Sequence, residues 1–212
     1  MKVLCLGETT KKGHRLSELD FDVHIGGSET NIAVSLSQFG FQTKLLTKLP
    51  KHELGNTVIS FLNSFKVDTS AIIRSDMRIG RYFLETGSGN RTSQVIYDRS
   101  NSAMTSFSLD DINLEDTFKD ISVFVVSGIT VALNEKVENT VIKMLEYCND
   151  NNITVVYDSN YRAKLWPVEK AGTAFRKILP YVDILSAGHL DAVNFLGLNS
   201  DYENFNDKLE DL

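Results

Sequence analysis

The sequence predicts an α/β fold in which helices cover both faces of a mostly parallel β-sheet. Short apolar segments alternate with amphipathic segments along most of the chain. Residues 121–126 are nearly all apolar, as expected of a strand that is buried on both faces. Glycine or polar residues follow several of the apolar segments. Alternating strands and helices of this kind build parallel sheets, which bind ligands at the carboxyl ends of their strands.

Strand predictions rest on short apolar or β-branched runs, and helix predictions rest on apolar residues three or four positions apart. The predicted strands are 2–7, 21–25, 43–49, 71–73, 81–85, 93–97, 121–126, 153–157 and 182–185. The predicted helices are 28–39, 52–66, 137–148, 167–179 and 189–196, with a weakly helical acidic tail over 200–212. Ser28 is the expected N-cap of the first helix, and Gly40 and Gly197 end the first and last helices. Pro50 stops the third strand, and Pro167 is tolerated at the start of its helix.

Residues 78–99 interrupt the alternation of strands and helices. The strands 81–85 and 93–97 are joined by Gly87-Ser88-Gly89-Asn90, whose composition favours a β-hairpin. With the strand at 21–25 they would form a small sheet that stands off the main body as a lid over a site. The alternative is that these strands extend the central sheet.

The composition limits the classes of function. The 212 residues carry a net charge of -6, which argues against a broad surface for nucleic acid or an anionic membrane. An anionic ligand therefore needs locally placed arginine or lysine. No apolar run reaches bilayer-spanning length and the first apolar segment is too short for a signal peptide, so we expect a cytoplasmic protein. Cys5 and Cys148 are isolated, which indicates buried, reduced thiols.

The segment Gly26-Gly27-Ser28-Glu29-Thr30-Asn31 joins a predicted strand to a predicted helix. Paired glycines let the backbone approach a ligand closely, and the N–H groups of a helix start attract anionic or oxygen-rich groups. Asn31 adds a side-chain donor and acceptor one turn into the helix. The alternative is a tight strand-to-helix turn that binds nothing.

Two other predicted strands end in segments that contain arginine. Asp158-Ser159-Asn160-Tyr161-Arg162 follows one strand, and Tyr97-Asp98-Arg99 ends another, with Tyr97 and Arg99 pointing to the same face. Two guanidinium groups suit a carboxylate, which each can bind through two hydrogen bonds. Alternatively, the first segment is a capped loop and the second a cation–π contact at the surface.

Together and in this order, these motifs resemble the PfkB/ribokinase family of carbohydrate kinases, and most closely its 2-keto-3-deoxygluconate kinases. The segments that carry the resemblance are 26–33, 45–55, 82–85, 95–99, 127–129 and 158–166. The resemblance implies a ribokinase-like fold and a β lid, from about 21–25 and 78–99, that doubles as a homodimer interface. The substrate-binding residues that it implies are Gly27, Asn31, Tyr82, Tyr97, Arg99, Ile129 and Arg162. It places Asn160 and Asp191 on the nucleotide or metal side.

The chain also departs from the family pattern. Family members are roughly half as long again, and their Gly-Ala-Gly-Asp motif, which supplies an anion hole and the proton-accepting aspartate, does not occur in these 212 residues. We therefore expect one ribokinase-like domain over 1–212, incomplete at its C-terminus, which lacks catalytic residues. By resemblance the family reaction uses ATP and Mg²⁺, and we expect this chain alone to bind neither.

Three functions remain open from the sequence. The chain is part of a kinase for 2-keto-3-deoxygluconate, or a non-catalytic module that binds a sugar acid, or one half of a split kinase. The expected partners are a small sugar acid and a second chain, which would associate through the lid or through an open edge of the sheet.

Overall fold

The computed structural model describes residues 1–6, 22–85, 87, 90 and 92–197. Its strands are β1 (Lys2–Leu6), β2 (Gln42–Pro50), β3 (Ile72–Ser75), β4 (Arg81–Glu85), β5 (Gln94–Asp98), β6 (Val123–Ser127), β7 (Thr154–Asp158) and β8 (Ile184–Ser186). Its α-helices are α1 (Ser28–Gln38), α2 (Glu53–Ser64), α3 (Leu114–Phe118), α4 (Gly128–Val131), α5 (Glu135–Asp150), α6 (Val168–Ile178) and α7 (His189–Leu196). The expected tail over 200–212 and the residues that follow β1 lie outside the described ranges.

The central sheet has six strands in the order β3-β2-β1-β6-β7-β8. Every neighbouring pair is parallel, and Cys5 of β1 lies between Leu45 of β2 and Val125 of β6. Parallel pairing brings the carboxyl ends of all six strands to one edge of the sheet. The predicted parallel α/β architecture is therefore confirmed.

Side chains of successive residues on β1 enter two different apolar cores, one on each face of the sheet. Leu4 belongs to a core with Val141 of α5. Cys5 belongs to the other core, with Ala33 of α1 and Leu62 of α2. Helices therefore cover both faces, as the alternating pattern predicted. Within the described ranges, no helix combines the length and the apolar content that crossing a bilayer requires.

The strands β4 and β5 form a separate antiparallel sheet, in which Tyr82 pairs with Tyr97. This arrangement confirms the predicted hairpin strands and excludes the alternative that they extend the central sheet. The strand predicted at 21–25 is wrong for residues 22–25, which have no strand conformation, while Phe21 lies outside the described residues. The alternation of Val23 and Ile25 suggested a strand, but Val23 is 63% exposed and therefore packs against little.

The C-terminal ends of the first and last helices, at Gly40 and Gly197, follow the predicted chemistry. Gly40 ends α1 with a φ of 88°, a left-handed conformation that glycine adopts at low cost. The short helices α3 and α4 and the 3₁₀ turns at 103–106 and 109–111 were not predicted. They span three to five residues each, too few to show a helical period.

Candidate functional site

A cavity of about 490 Å³ lies at the carboxyl ends of β6 and β7, between these strand ends, the start of α1 and the hairpin. We call it the arginine cavity, and its lining residues are Gly27, Ser28, Asn31, Ile32, Tyr82, Leu84, Val95, Tyr97, Arg99, Ile129, Asp158, Asn160 and Arg162. All seven residues that the sequence assigned to substrate binding are among them. The fold thus brings together residues from five separate segments of the chain.

The start of α1 forms one side of the arginine cavity. The N-cap is Gly27, with an extended backbone, and Ser28 is the first residue of the helix, so the prediction of Ser28 as N-cap is wrong. The physical reason is that the Ser28 hydroxyl has a more distant partner, since it accepts a hydrogen bond from the side-chain amide of Asn160 at 3.0 Å. This bond ties the helix start to the loop after β7.

Glu29 makes a second tie between α1 and the central sheet. Its side chain is buried, and its Oε1 atom accepts hydrogen bonds from the Ser127 amide at 3.0 Å, the Ser127 hydroxyl at 2.6 Å and the Thr130 hydroxyl at 2.8 Å. Burial raises the pKa of the Glu29 carboxyl, although these hydrogen bonds oppose the rise. Sequence reasoning missed this role, because a glutamate in the first helical turn is usually a solvated partner of the helix dipole.

The end of β6 is packed tightly against the loop after β7. A Cβ atom on Gly128 would lie 2.1 Å from the carbonyl oxygen of Ser159, which is too close for two non-bonded atoms. Glycine at this position therefore lets the two segments approach, and the next residue, Ile129, lines the arginine cavity. Ile129 was predicted only from the family resemblance, since nothing local marks an isoleucine as a pocket residue.

The loop after β7 brings an acid, an amide and a guanidinium to the cavity. Asn160 has a left-handed backbone with a φ of 38°, which asparagine tolerates better than most residues. Partial burial raises the pKa of Asp158, and the nearby positive charge of Arg162 opposes the rise. Arg162 is exposed, and its Nη1 atom donates weakly to the Tyr161 carbonyl at 3.4 Å. Its guanidinium therefore remains accessible to a ligand.

The hairpin supplies the opposite wall with aromatic rings and a second arginine. The guanidinium carbon of Arg99 lies 4.5 Å from the centre of the Tyr97 ring, so the prediction that these two side chains share a face is confirmed. The Tyr82 and Tyr97 rings lie 6.2 Å apart. Tyr97 and Arg99 therefore form a cation–π contact and also line the arginine cavity.

Ion pairs hold the base of the hairpin. The Asp98 carboxylate accepts hydrogen bonds from Arg78 and, at 2.6 Å, from Nε of Arg81. These two arginines hold the pKa of Asp98 below its usual range. At the other end of β5, Lys164 donates to the Val95 carbonyl at 3.1 Å and connects the hairpin to the loop after β7. The sequence motifs did not indicate either connection.

A second cavity of about 500 Å³ lies beside the first and shares Asp158, Asn160 and Arg162 with it. Asn160 and Asp191, which the sequence assigned to the nucleotide or metal side, both line this second cavity. Their side chains have structural partners as well. Oδ2 of Asp191 accepts hydrogen bonds from the Ser159 hydroxyl at 2.6 Å and from the Gly188 amide at 3.0 Å, which caps α7.

The described residues contain no cluster of metal-ligating side chains. Within these ranges no group of three or more histidine, cysteine, aspartate or glutamate residues could hold a metal. The Asp191 carboxylate, which the sequence placed on that side, is engaged in capping α7.

The two cysteines take no part in either cavity. Both are free and buried, and burial raises the pKa of each thiol, to about 12 for Cys148. Neither is a thiolate at neutral pH, so neither is suited to nucleophilic chemistry.

Comparison with known proteins gives consistent matches. A family model described as pfkB family carbohydrate kinase matches residues 3–211. The chain is 35% identical over 175 residues to the 2-dehydro-3-deoxygalactonokinase of Haloferax volcanii, which covers 82% of this chain and 55% of the relative. The chain therefore spans about half the length of the curated relatives that it matches.

Two solved structures have the same fold. A PfkB family carbohydrate kinase from Listeria grayi is 34% identical with a TM-score of 0.94, covering 100% of this chain and 68% of that chain. The 2-dehydro-3-deoxygluconokinase of Thermotoga maritima is 35% identical with a TM-score of 0.91, covering 96% of this chain and 64% of that chain. Both likenesses confirm the predicted ribokinase-like fold.

Proposed function

Because the chain belongs to the pfkB family of carbohydrate kinases, we propose that the arginine cavity is the sugar-acid pocket of a 2-keto-3-deoxygluconate kinase. One observation carries the proposal, namely that Arg99 and Arg162 line the same cavity although they come from different walls. A neutral sugar needs only hydroxyl partners, whereas a sugar acid also carries a carboxylate that two guanidinium groups suit.

The other lining residues have chemistry that fits a sugar acid. Asn31 and Asp158 offer donors and acceptors for hydroxyl groups, and Gly27 leaves room for the ligand to approach the helix start. The tyrosine rings of the hairpin provide an apolar surface for the carbon chain. In this arrangement the body of the protein and the hairpin hold the ligand from two sides.

The choice among sugar acids is part of the proposal. The Haloferax volcanii relative is a 2-dehydro-3-deoxygalactonokinase and the Thermotoga maritima structure is a 2-dehydro-3-deoxygluconokinase. We take the gluconate form as the substrate and the galactonate form as its competitor. The two differ in the configuration of one hydroxyl group, so binding measurements with both compounds separate them.

ATP is the proposed phosphoryl donor of the complete kinase, with Mg²⁺ as its metal. We expect this chain alone to bind neither and to be inactive, since the Gly-Ala-Gly-Asp motif of the family does not occur in its 212 residues. Phosphoryl transfer depends on positioned charges and a group that accepts the proton of the attacking hydroxyl. Turnover by the purified 212-residue chain with ATP and the sugar acid would contradict this expectation.

Isothermal titration calorimetry tests the proposed pocket. The wild-type chain should bind 2-keto-3-deoxygluconate, and Arg162→Ala should weaken binding about 10-fold or more, the scale of a lost charged hydrogen bond. Arg162→Lys should fall between them, because lysine keeps the charge and loses the planar fork. Arg176→Ala, an arginine of α6 outside both cavities, is the matched control. Equal affinity for fructose, or unchanged binding by Arg162→Ala, would contradict the proposal.

A second candidate function is one half of a split kinase, and the position of β8 favours it, since among the described residues no strand pairs with its outer side. The outermost strand β8 exposes Ile184 (55%) and Leu185, as expected where a further strand adds to the sheet. A non-catalytic sugar-acid-binding module is the remaining candidate. A neighbouring reading frame that encodes Gly-Ala-Gly-Asp, and activity on mixing the two chains, would favour the split kinase. Sugar-acid binding without any such partner would favour the module.

Dimerisation through the hairpin is also part of the proposal. Ile96 of β5 is exposed on the hairpin, and Val23 is exposed nearby on the cavity that Arg81 and Phe83 line. Light scattering should give the mass of a dimer for the wild-type chain and of a monomer for Ile96→Lys. A dimer that survives this change would direct attention to the β8 edge instead.

A further inference from the structure

We propose that Glu29 is a positioning residue, whose buried carboxyl sets the distance between the two body segments that line the arginine cavity. The inference rests on the proposed function, in which the arginine cavity is the sugar-acid pocket. Glu29 itself does not line the cavity, so it acts through its neighbours. Neither the family resemblance nor the local sequence assigned it a role.

The geometry of the three hydrogen bonds supports this role. Glu29 lies between Gly27 and Asn31, which both line the cavity. Its partners, Ser127 and Thr130, lie on either side of Ile129, which lines the cavity from α4, directly after β6. One carboxyl oxygen therefore joins two cavity-lining segments that are about a hundred residues apart in the chain.

The surroundings of Glu29 favour a fixed and neutral carboxyl. The side chain is 1% exposed, so water cannot replace its hydrogen bonds. The titratable groups whose pKa the Glu29 charge raises are Cys5 of β1 and Tyr157 of β7. Both are buried, and neither offers a positive charge. Burial raises the pKa of Glu29. Three donors hold this carboxyl in place, so the length of the side chain matters more than its charge.

Two conservative variants change the length and the charge of the Glu29 side chain separately. Glu29→Gln keeps the length and one acceptor oxygen, so the tie should persist. Glu29→Asp keeps the carboxyl but is one methylene shorter, so it should fail to reach Ser127 and Thr130. Glu29→Ala removes the acceptor altogether and leaves buried donors without a partner.

Two measurements on the full chain test the inference. In calorimetry with 2-keto-3-deoxygluconate, Glu29→Gln should bind within about 3-fold of the wild type, and Glu29→Asp and Glu29→Ala about 10-fold or more weakly, the scale of a buried hydrogen bond. Without any ligand, hydrogen exchange of the Ser127 amide, which donates to Glu29, should be faster in the Asp and Ala variants only. Glu138→Gln is the matched control, since Glu138 is a buried glutamate of α5 that pairs with Lys177 of α6.

The outcomes separate this inference from the proposed function. If the wild type does not bind the sugar acid, the proposed function fails, while Ser127 exchange still tests the tie. If Glu29→Ala does not fold, Thr130→Val removes one donor at similar volume and should give faster Ser127 exchange and weaker binding. Folded Glu29→Asp or Thr130→Val chains with wild-type Ser127 exchange would overturn the inference, as would a Glu29→Gln chain that loses binding as fully as Glu29→Ala.

Discussion

The two walls of the arginine cavity hold their side chains by different physical means. The body wall consists of the start of α1 and the ends of β6 and β7, where Glu29 is 1% exposed and its partners are uncharged N–H and O–H groups. The hairpin wall consists of β4 and β5, where the Asp98 side chain is 34% exposed and its partners are Arg78 and Arg81. Salt screens exposed ion pairs and leaves buried hydrogen bonds largely unchanged.

This difference indicates which wall is fixed and which can move. Close packing at Gly128 and the ties of Glu29 connect the body wall to the central sheet. The hairpin is a separate two-stranded sheet. Its base is held by the ion pairs of Asp98, and the bond between Lys164 and Val95 connects it to the loop after β7. We therefore expect the hairpin to act as the lid that the sequence predicted, closing over a ligand held by the body wall.

The largest expected effect comes from filling the space at Gly128. Gly128→Ala places a Cβ atom 2.1 Å from the backbone oxygen of Ser159, so the two segments must separate. Overpacking of this kind costs about 3 kcal/mol of the free energy of unfolding, as urea denaturation would measure. Gly188→Ala is the control, because the nearest atom to its Cβ is a side-chain oxygen of Asp191 at 3.4 Å, and it should cost much less. Equal stability of the two variants would mean that the body wall is not tightly packed.

The dependence of stability on pH should have opposite signs in the two walls. Burial raises the pKa of Glu29, so the folded state holds this proton more tightly, and the stability from it declines as pH rises above the usual glutamate value of about 4.3. Arginine lowers the pKa of Asp98, so its contribution is complete above the usual aspartate value of about 3.9 and is lost as pH falls through the lowered pKa. Melting temperatures measured across this pH range test both signs. Glu29→Gln should lack the decline in stability as pH rises, and Asp98→Asn should lack the loss of stability as pH falls. Two variants that both parallel the wild type would contradict the contrast.

A smaller effect is expected from loosening the base of the hairpin. Asp98→Asn removes the charge that pairs with Arg78 and Arg81, so hydrogen exchange over 81–98 should become faster and sugar-acid binding about 3-fold weaker. At about 1 M salt, where the screening length is about 3 Å, the wild type should approach the variant. Asp76→Asn, which breaks the exposed pair with Lys51, should leave both properties unchanged. If neither Asp98→Asn nor high salt changed the hydrogen exchange of the hairpin, the ion pairs of Asp98 would not stabilise it.

The smallest effect is expected at the contact between the hairpin and the loop after β7. Lys164→Ala removes one exposed hydrogen bond to the Val95 carbonyl and should weaken binding about 2-fold. The dissociation rate, measured by stopped-flow fluorescence, should increase more than the association rate changes, because the bond holds the hairpin in place. Lys170→Ala, an exposed lysine of α6, is the control. A change confined to the association rate would argue for long-range attraction instead.

Much of the fold and of the candidate site was predictable from local patterns. Short apolar runs predicted the strands of the central sheet. Parallel strands must gather their carboxyl ends at one edge, which brought the segments after 121–126 and 153–157, and with them Arg162, into one region. The hairpin followed from turn residues and alternating strands, and this alternation placed Tyr97 and Arg99 on one face. These inferences succeeded because each depends on nearby residues and on general rules of sheet geometry.

The rest depends on partners that are distant in the sequence. Glu29 bonds with residues about a hundred positions away, and nothing in its own helix turn distinguishes it from a solvated acid. Ser28 failed as an N-cap for the same reason, since its hydroxyl meets Asn160. The prediction of a strand at 21–25 was wrong over 22–25. A suitable pattern of apolar residues is not sufficient for a strand, because a strand also requires a neighbouring strand to pair with.

The central claim, that the two walls bind one sugar-acid ligand, is tested most directly by a double-mutant cycle on Arg99 and Arg162. Calorimetry with 2-keto-3-deoxygluconate would measure the affinity of the wild type, Arg99→Ala, Arg162→Ala and the double variant. Groups that act on the same carboxylate should couple by about 1 kcal/mol or more, so the double variant should lose less than the sum of the single losses. Strictly additive losses, or no loss from either change, would contradict the claim.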